Sequence, residues 1–313
     1  MNQITHFPDP GSSRLSTIPD YIKVIPQYLY PKHLLSMLIG KVTRIRSPWI
    51  KDRQIRWFIR RYGVNMEEAL ERDPGSYGNF NDFFTRALHP NARPAPPGEK
   101  HIASPVDGRV SAFGSIDNED IIQAKGRRYT VTELLSGDAL DAKTFAAPFP
   151  GGQFITIYLS PMDYHRVHMP MAGRLRGMRH IPGRLFSVNP ATTRVIPRLF
   201  TRNERLAMRF DTANGPLGLV MVGATLVGSI ETVWAGAATL SHGQPVSIWQ
   251  YDQARHPELV FRQGQEIARF NMGSTVILLF PPNSIYWASS LQPGTLLRKG
   301  MSIGRFVADM AGC

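Results

Sequence analysis

The 313-residue chain holds one cysteine, the terminal Cys313, so it can form neither an intramolecular disulfide nor a zinc site built on several thiolates. Long apolar runs are missing too. The longest uncharged stretch, Phe270 to Leu297, is broken by Pro281, Pro282 and Pro293. The most apolar one, Leu217 to Ile230, has 14 residues including three glycines, short of the ~20 that a membrane-spanning helix needs. Met1 to Ser12 lacks the basic start and apolar run of a secretory signal. These absences predict a peripheral protein and not an integral one. Acidic residues are scarce: 24 against 36 Lys and Arg, a net charge of +12 that calls for an acidic partner. Glycine and proline, at 27 and 25, are plentiful, which argues against a helical bundle. The 42% hydrophobic and 19% charged content excludes wholesale disorder. The length fits two domains, or one catalytic domain with an appendage.

The excess charge is concentrated at one end. Residues 1–66 carry 11 basic and 3 acidic groups, and the rest of the chain carries 25 and 21. The densest part, Lys41 to Tyr62, also shows helical spacing: Ile55, Phe58, Ile59 and Tyr62 form one face, with Arg53, Arg56 and Arg60 off it. Leu34, Leu35, Leu38 and Ile39 give a second apolar stripe, and Tyr28, Tyr30, Trp49 and Trp57 are rings suited to a membrane interface. Three readings fit: helices lying on an anionic bilayer, helices packed on a catalytic domain, or a nucleic-acid surface. No helix-turn-helix, zinc finger or RNP-like aromatic motif favours the last.

Residues 1–12 read as a loose arm, helical patterning runs from about Pro19 to Leu70, and a short helix is expected over Asn79–Leu88. Pro90–Gly98 reads as a stiff linker or edge loop. From Ile102 on, short β-prone runs recur at Arg109–Phe113, Phe154–Leu159, Leu219–Val227, Thr232–Ala235 and Thr275–Phe280, with a brief helix at Val131–Leu135. The expected class is α+β: N-terminal amphipathic helices over 1–70, then a mostly antiparallel, β-rich catalytic domain over 71–313.

The segment Tyr158-Leu-Ser-Pro-Met-Asp-Tyr-His-Arg-Val-His-Met-Pro170 places two histidines three apart between helix-disfavouring prolines. In an extended chain that spacing sends His165 and His168 to different faces and different neighbours. Metal binding, acid–base catalysis and ordinary hydrogen bonding all fit them. With no third ligand nearby a metal site is not expected. Ser104-Pro-Val-Asp107-Gly108 reads as an Asx-type turn, and Asn271-Met-Gly-Ser-Thr275 as a turn entering a strand. Together they supply the parts of a charge-oriented nucleophile, in which Asp107 orients, His168 takes the proton and Ser274 attacks. There is no G-x-S-x-G elbow and no Gly-rich phosphate loop.

These segments, with Phe80-Asn-Asp-Phe-Phe-Thr-Arg86, Pro182-Gly-Arg-Leu-Phe-Ser-Val-Asn189, Asn203-Glu-Arg205, the run from Val222 to Trp234, and Gly273-Ser-Thr275, occur in an order that closely resembles the bacterial phosphatidylserine decarboxylase family. The resemblance spans about residues 20 to 310. One departure is Met272, where the family's usual tetrapeptide has leucine. The resemblance implies a precursor that cuts itself between Gly273 and Ser274 into chains 1–273 and 274–313. It also implies a covalent pyruvoyl cofactor made from Ser274. The Ser274 hydroxyl, deprotonated by His168 with Asp107 behind it, attacks the Gly273 carbonyl; elimination from the resulting ester frees the Gly273 carboxylate and leaves dehydroalanine at 274, which takes up water and loses ammonia to become the pyruvoyl group. Its carbonyl then engages the amine of phosphatidylserine and accepts the electrons released with CO2, while His165 protonates the α-carbon to give phosphatidylethanolamine. Tyr158, Ser187 and Asn189 are weaker candidates for lining the pocket. The implied partners are phosphatidylserine in an anionic membrane and the chain's own two fragments, with room for a homodimer and no nucleic acid. The implied location is peripheral, on the cytoplasmic face of the cell membrane. Two other classes stay open: a serine hydrolase using the same three residues without self-cleavage, and a non-enzymatic basic lipid- or nucleic-acid-binding protein.

Overall fold

The computed structural model describes residues 18–29, 32–94, 96, 98, 100–124, 126–137, 141–225, 229–238, 245–271 and 274–307. The N-terminal arm, Tyr30, Met272, Gly273, Cys313 and the side chains of Leu34 and Leu35 lie outside that description.

The basic region folds as helices α1 (Ile18–Val24), α2 (Pro26–Leu29), α3 (Lys32–Val42) and α4 (Pro48–Tyr62). Pro48 opens α4 where no backbone donor is needed. Gly63, at φ 68°, closes it in the left-handed conformation with its N–H on Ile59 O. The helical pattern therefore stops at Tyr62, and the stretch to Leu70 is turn and bridge. The apolar stripe of α4 exists as expected, but it faces protein: Ile55 and Phe58 are buried against α5 (Phe80–Phe84), with Phe58 5.1 Å from Phe80 and 5.9 Å from Phe84 between ring centroids. That cluster runs across residue 70 and ties α4 to the segment 77–84. Helix α5 is shorter than expected, capped at its start by the Asn79 side chain on Asp82 N and over by Thr85. The outward-facing residues of the N-terminal helices include Ile22, Ile25, Met37 and Leu38, and Trp49 and Trp57 are 75% and 56% exposed.

Beyond α5 the chain is mostly strand. It runs β1 (His101–Ala103), β2 (Gly108–Ser115), β3 (Asp120–Ala124), β4 (Arg127–Thr130), α6 (Val131–Ser136), α7 (Ala142–Ala146), β5 (Gln153–Leu159), β6 (Arg166–His168) and β7 (Gly173–Ile181). Then come α8 (Pro190–Val195), α9 (Leu199–Arg202), β8 (Arg205–Thr212), β9 (Gly215–Gly223), β10 (Ile230–Thr232), β11 (Gly236–Ala238), β12 (Ser247–Gln250) and β13 (Val260–Phe261). The chain ends with β14 (Glu266–Phe270), β15 (Ser274–Phe280), β16 (Ile285–Trp287), β17 (Leu296–Leu297) and β18 (Ser302–Phe306). The main sheet has the order β12-β7-β8-β9-β15-β5-β2-β17, with β13 also on β7, and its pairs are antiparallel. A four-stranded sheet, β11-β10-β14-β6, and a three-stranded one, β1-β18-β16, complete the layers, beside the β3-β4 pair. The expected strand at Thr232–Ala235 lies earlier, at Ile230–Thr232, with 233–235 forming the turn into β11.

The central strands are apolar on both faces because both faces are covered. On one side Val276, Leu278, Met208 and Leu219 join Val167, Ile230, Phe270 and Ile303 from the two smaller sheets. On the other, Ile277, Leu279, Ala207 and Val220 meet Leu134, Leu135, Leu199 and Phe200 of the helices. Strand β15 sits at the middle, and all seven of its residues are buried. By its alternation Ser274 shares the face of Val276, toward the smaller sheets.

Candidate active site

Two connectors build the site. One, Ser160 to His165, leads from β5 into β6; the other leaves β14 at Asn271, and the described chain resumes at Ser274 in β15. Because β5 pairs with β15 and β6 with β14, both connectors cross together between the main and the four-stranded sheet. A backbone bond from Phe270 N to His165 O, 3.0 Å, joins them. Helix α5 touches both: Asn81 Nδ2 donates to Asn271 Oδ1 at 3.1 Å, and the Phe84 ring lies 4.1 Å from that of His165.

The first connector is a turn tied by Asp163, whose carboxylate accepts Ser160 N and Oγ, each at 2.7 Å. That turn aims His165. Its Nδ1 lies 2.8 Å from Asp163 O, and a carbonyl can only accept, so Nδ1 carries the hydrogen. Burial pulls its pKa down to about 3, so the ring is neutral at pH 7 and Nε2 is a bare lone pair. Nε2 has no hydrogen-bond partner among the described residues. Ser274 Oγ is in the same condition, buried and unpartnered, between Leu159 of β5 and Gly223 of β9. Two unmet polar atoms on adjoining chain segments mark a place built for something other than stability.

His168 has different neighbours, as the extended spacing predicts. Its Nδ1 donates to Gly264 O at 2.9 Å, and Nε2 accepts the Tyr164 hydroxyl at 2.9 Å. Burial lowers its pKa to about 4. Pro105 O accepts His168 N at 2.9 Å, which brings the Ser104–Asp107 turn alongside β6. The Asp107 carboxylate, however, does not reach the imidazole. Arg93 Nε lies 3.1 and 3.2 Å from its two oxygens, Arg93 Nη2 donates to Oδ2 at 2.7 Å, and Lys299 N donates to Oδ1 at 2.7 Å. The expected hydrogen-bonded line Asp107–His168–Ser274 is therefore absent from this structure. A permanently charged guanidinium fork matches a carboxylate better than one neutral imidazole N–H does, and the Gly264 carbonyl does the orienting. Burial works against the Arg93 charge, but its hydrogen bonds to Asp107 and Glu68 still raise its pKa.

The weaker candidates are spread out. Tyr158 faces Thr275 in the β5–β15 register and packs on the helix-covered side, and burial raises its pKa. Asn189 Oδ1 caps α8 on Thr192 N at 3.0 Å, and Asn189 Nδ2 donates to Ser187 Oγ at 3.0 Å. Ser187 N in turn donates to Gln27 Oε1 at 3.0 Å. Their neighbour Phe186 connects to the site through Asn203, whose Nδ2 donates to Phe186 O at 2.7 Å and to Gly223 O, opposite Ser274, at 2.9 Å. Sequence reasoning missed Arg93, Tyr164 and Asn203. Only the last two stood inside quoted motifs.

The geometry defines a class first: an α+β protein with a buried serine opening its central strand, next to neutral histidines on a cross-connection. Comparison with known proteins narrows it. A family model described as phosphatidylserine decarboxylase matches residues 80–305, and a second, described as PSD, matches 22–63. The chain is 54% identical over 268 residues to the phosphatidylserine decarboxylase proenzyme of Bordetella pertussis, covering 86% of this chain and 89% of that protein. Proteins of the same name from Azotobacter vinelandii and Pseudomonas entomophila are 49% identical over 286 residues and 50% over 277. Those matches cover 91% and 88% of this chain, and 98% and 95% of the relatives. The chain belongs to the phosphatidylserine decarboxylase family.

Proposed function

We propose that the protein decarboxylates phosphatidylserine to phosphatidylethanolamine and CO2 after cutting itself between Gly273 and Ser274. The relatives' name, proenzyme, supports the processing step. The observation that carries the reading is the pair of buried, unpartnered atoms, Ser274 Oγ and His165 Nε2. A hydroxyl left without a partner is a poor structural group but a suitable precursor for a ketone, which needs no donor of its own. The site therefore fits a pyruvoyl group at position 274. When formed, that group supplies the electron sink for the pair of electrons left as CO2 departs.

The chain's own residues do the rest. Ser274 Oγ is the nucleophile toward the Gly273 carbonyl, and His168 receives its proton once the Tyr164 hydroxyl gives up the Nε2 lone pair it fills at rest. Asp107 supports that step by holding the 104–107 turn against β6 through Arg93 and Lys299. His165 takes a proton at Nε2 from the head-group ammonium and delivers it to the α-carbon. Its bare Nε2 is an acceptor at pH 7, and an incoming anionic head group raises its proton affinity. The buried surroundings of both rings keep water from the bond being broken. Domain roles follow the same division: the helices before residue 70 bring the protein to the bilayer, and the chain from 71 onward performs the chemistry.

Among the described residues no helix is long and apolar enough to cross a membrane. Exposed Trp49 and Trp57, among basic side chains, support peripheral attachment to an anionic surface, which we assign to the cytoplasmic face of the cell membrane. After cleavage the short chain begins with β15. That strand is zipped on both sides, to β5 and β9, so the two chains stay together. A denaturing gel with intact masses, run beside an assay of phosphatidylserine vesicles, tests the reading. Two fragments, 1–273 and 274–313, the shorter without a free amino group, are expected together with phosphatidylethanolamine. A single chain that reacts with a fluorophosphonate would point instead to a serine hydrolase.

A further inference from the structure

Arg86 follows α5 and is 4% exposed, yet it makes no ion pair among the described residues. Its Nε has no hydrogen-bond partner, and Nη2 reaches only Met162 O, at 3.3 Å. The guanidinium otherwise rests over the Phe83 ring at 5.5 Å. The other deeply buried arginines are matched. Arg93 is paired with Asp107 and Glu68, and Arg179 with Asp141. Arg205 is held by the carbonyls of Leu134, Thr201, Asn203 and Glu133. The acids whose charge reaches Arg86 are engaged elsewhere: Asp107 by Arg93 and Lys299 N, and Asp163 by Ser160. A buried cation without an anion is costly, so a site that keeps one is arranged for an anion to arrive.

Its place says which anion. Arg86 bonds the connector that carries His165, while Asn81, on the short helix just before it, bonds Asn271 on the link to Ser274. Met162, whose carbonyl accepts from Arg86 Nη2, is exposed, so the guanidinium lies one contact beneath the surface. A phosphatidylserine head group carries two anionic groups, a carboxylate and a phosphodiester. Gripping the carboxylate would stabilise the charge that the reaction must destroy and raise the barrier. The phosphodiester keeps its charge from substrate to product, so binding it costs nothing at the transition state, and a planar two-donor fork suits its oxygens.

We propose that Arg86 receives the phosphodiester of the phospholipid and so sets the position of the head group against residue 274. This rests on the decarboxylase reading, and the test separates the two. Cleaved wild-type enzyme, R86Q and R86K are compared on phosphatidylserine in detergent mixed micelles, with phosphatidylethanolamine as inhibitor, since it has the phosphodiester but no carboxylate. R86Q is expected to raise KM about 10- to 100-fold, the loss of a charge-assisted pair, and to change kcat less than about threefold. Inhibition by phosphatidylethanolamine should weaken by the same factor as KM, and R86K should fall between. An unchanged KM in R86Q, or a raised KM with undiminished inhibition, overturns the assignment, the second outcome by moving Arg86 to the carboxylate. If R86Q stays uncut, R86K decides: a wild-type KM there overturns it. Wild-type enzyme that forms no phosphatidylethanolamine sinks the decarboxylase reading itself.

Discussion

Replacing Asp107 by Ala tests whether this residue acts on His168 or holds the scaffold beneath it. The measurement belongs in a Ser274→Ala background, where the proposed chemistry leaves every chain uncut and stabilities compare like with like. Asp107 and Arg93 have side chains only 9% and 8% exposed, and they share a contact at 2.7 Å. Removing one partner of such a pair costs about 3–5 kcal/mol. Glu68 remains on Arg93 at 2.8 Å, which keeps the loss near the bottom of that range. The Lys299 N–H also loses its acceptor, adding about 1 kcal/mol. The sum is about 4 kcal/mol, a fall in Tm of roughly 8–16 °C by the scaling for domains somewhat smaller than this chain. Adding Arg93→Met should recover about 2 kcal/mol or more, because no charge is then stranded. In the wild-type background, Arg93→Met alone should slow self-cleavage although Asp107 is still present. The reasoning fails if Asp107→Ala melts within about 1 °C of its parent, or if Arg93→Met cuts at the wild-type rate while Asp107→Ala does not cut. Either outcome would return Asp107 to a direct role on His168.

Other substitutions separate the two histidines. Ser274→Ala and His168→Ala should leave an uncut chain on a denaturing gel, whereas His165→Ala should cut and yet make no phosphatidylethanolamine; an uncut His165→Ala protein would end that division of roles. Stability should also depend on acid. Both rings have folded pKa values, about 3 and about 4, below the ordinary imidazole value, so the unfolded chain binds protons first and stability is lost as pH falls from about 6.5 toward 4. Urea titrations of the Ser274→Ala chain should show a loss of several kcal/mol over that window, and a His165→Gln, His168→Gln pair that keeps the same slope would contradict it. At the surface, Trp49→Glu with Trp57→Glu should weaken sedimentation with anionic vesicles at least about tenfold and leave stability within about 0.5 kcal/mol for each change. Wild-type binding should fall with salt, and equal binding to neutral vesicles at high salt would defeat the electrostatic account.

Much of the fold was legible where one local rule acted alone. Asn79 starts α5, and Thr130 with Glu133 forms the capping box that starts α6, whereas the expected helical pattern from Pro19 to Leu70 overran Pro48 and Gly63, the residues that bound α4. The apolar runs of β5 and β15 are continuous because both sheet faces are covered. Strands β7 and β8 escaped notice because Arg179, His180 and Arg205 are buried in or beside them, and burial of charge depends on partners far along the chain. Arg179 finds Ser136 and Asp141, and Arg205 finds the carbonyls at the end of α6. The direction of the α4 stripe had the same difficulty. Helical spacing says that a face is apolar, but not whether lipid or Phe80 and Phe84 will cover it.

By itself the sequence determined the chemistry on hand: a glycine–serine bond before an apolar strand, two histidines on an extended segment, and a basic amphipathic end. Residue types and local spacing are enough for that, since both are properties of a few consecutive positions. Only the tertiary structure decided which atoms are left without partners. The β5–β15 and β6–β14 pairings run the two connectors together, leaving Ser274 Oγ and His165 Nε2 bare while Tyr164 fills the lone pair of His168. The same packing gives Asp107 to Arg93 and leaves Arg86 with no acid among the described residues. Pairing in three dimensions is a competition among all groups within reach, and no spacing along one chain can announce who wins it.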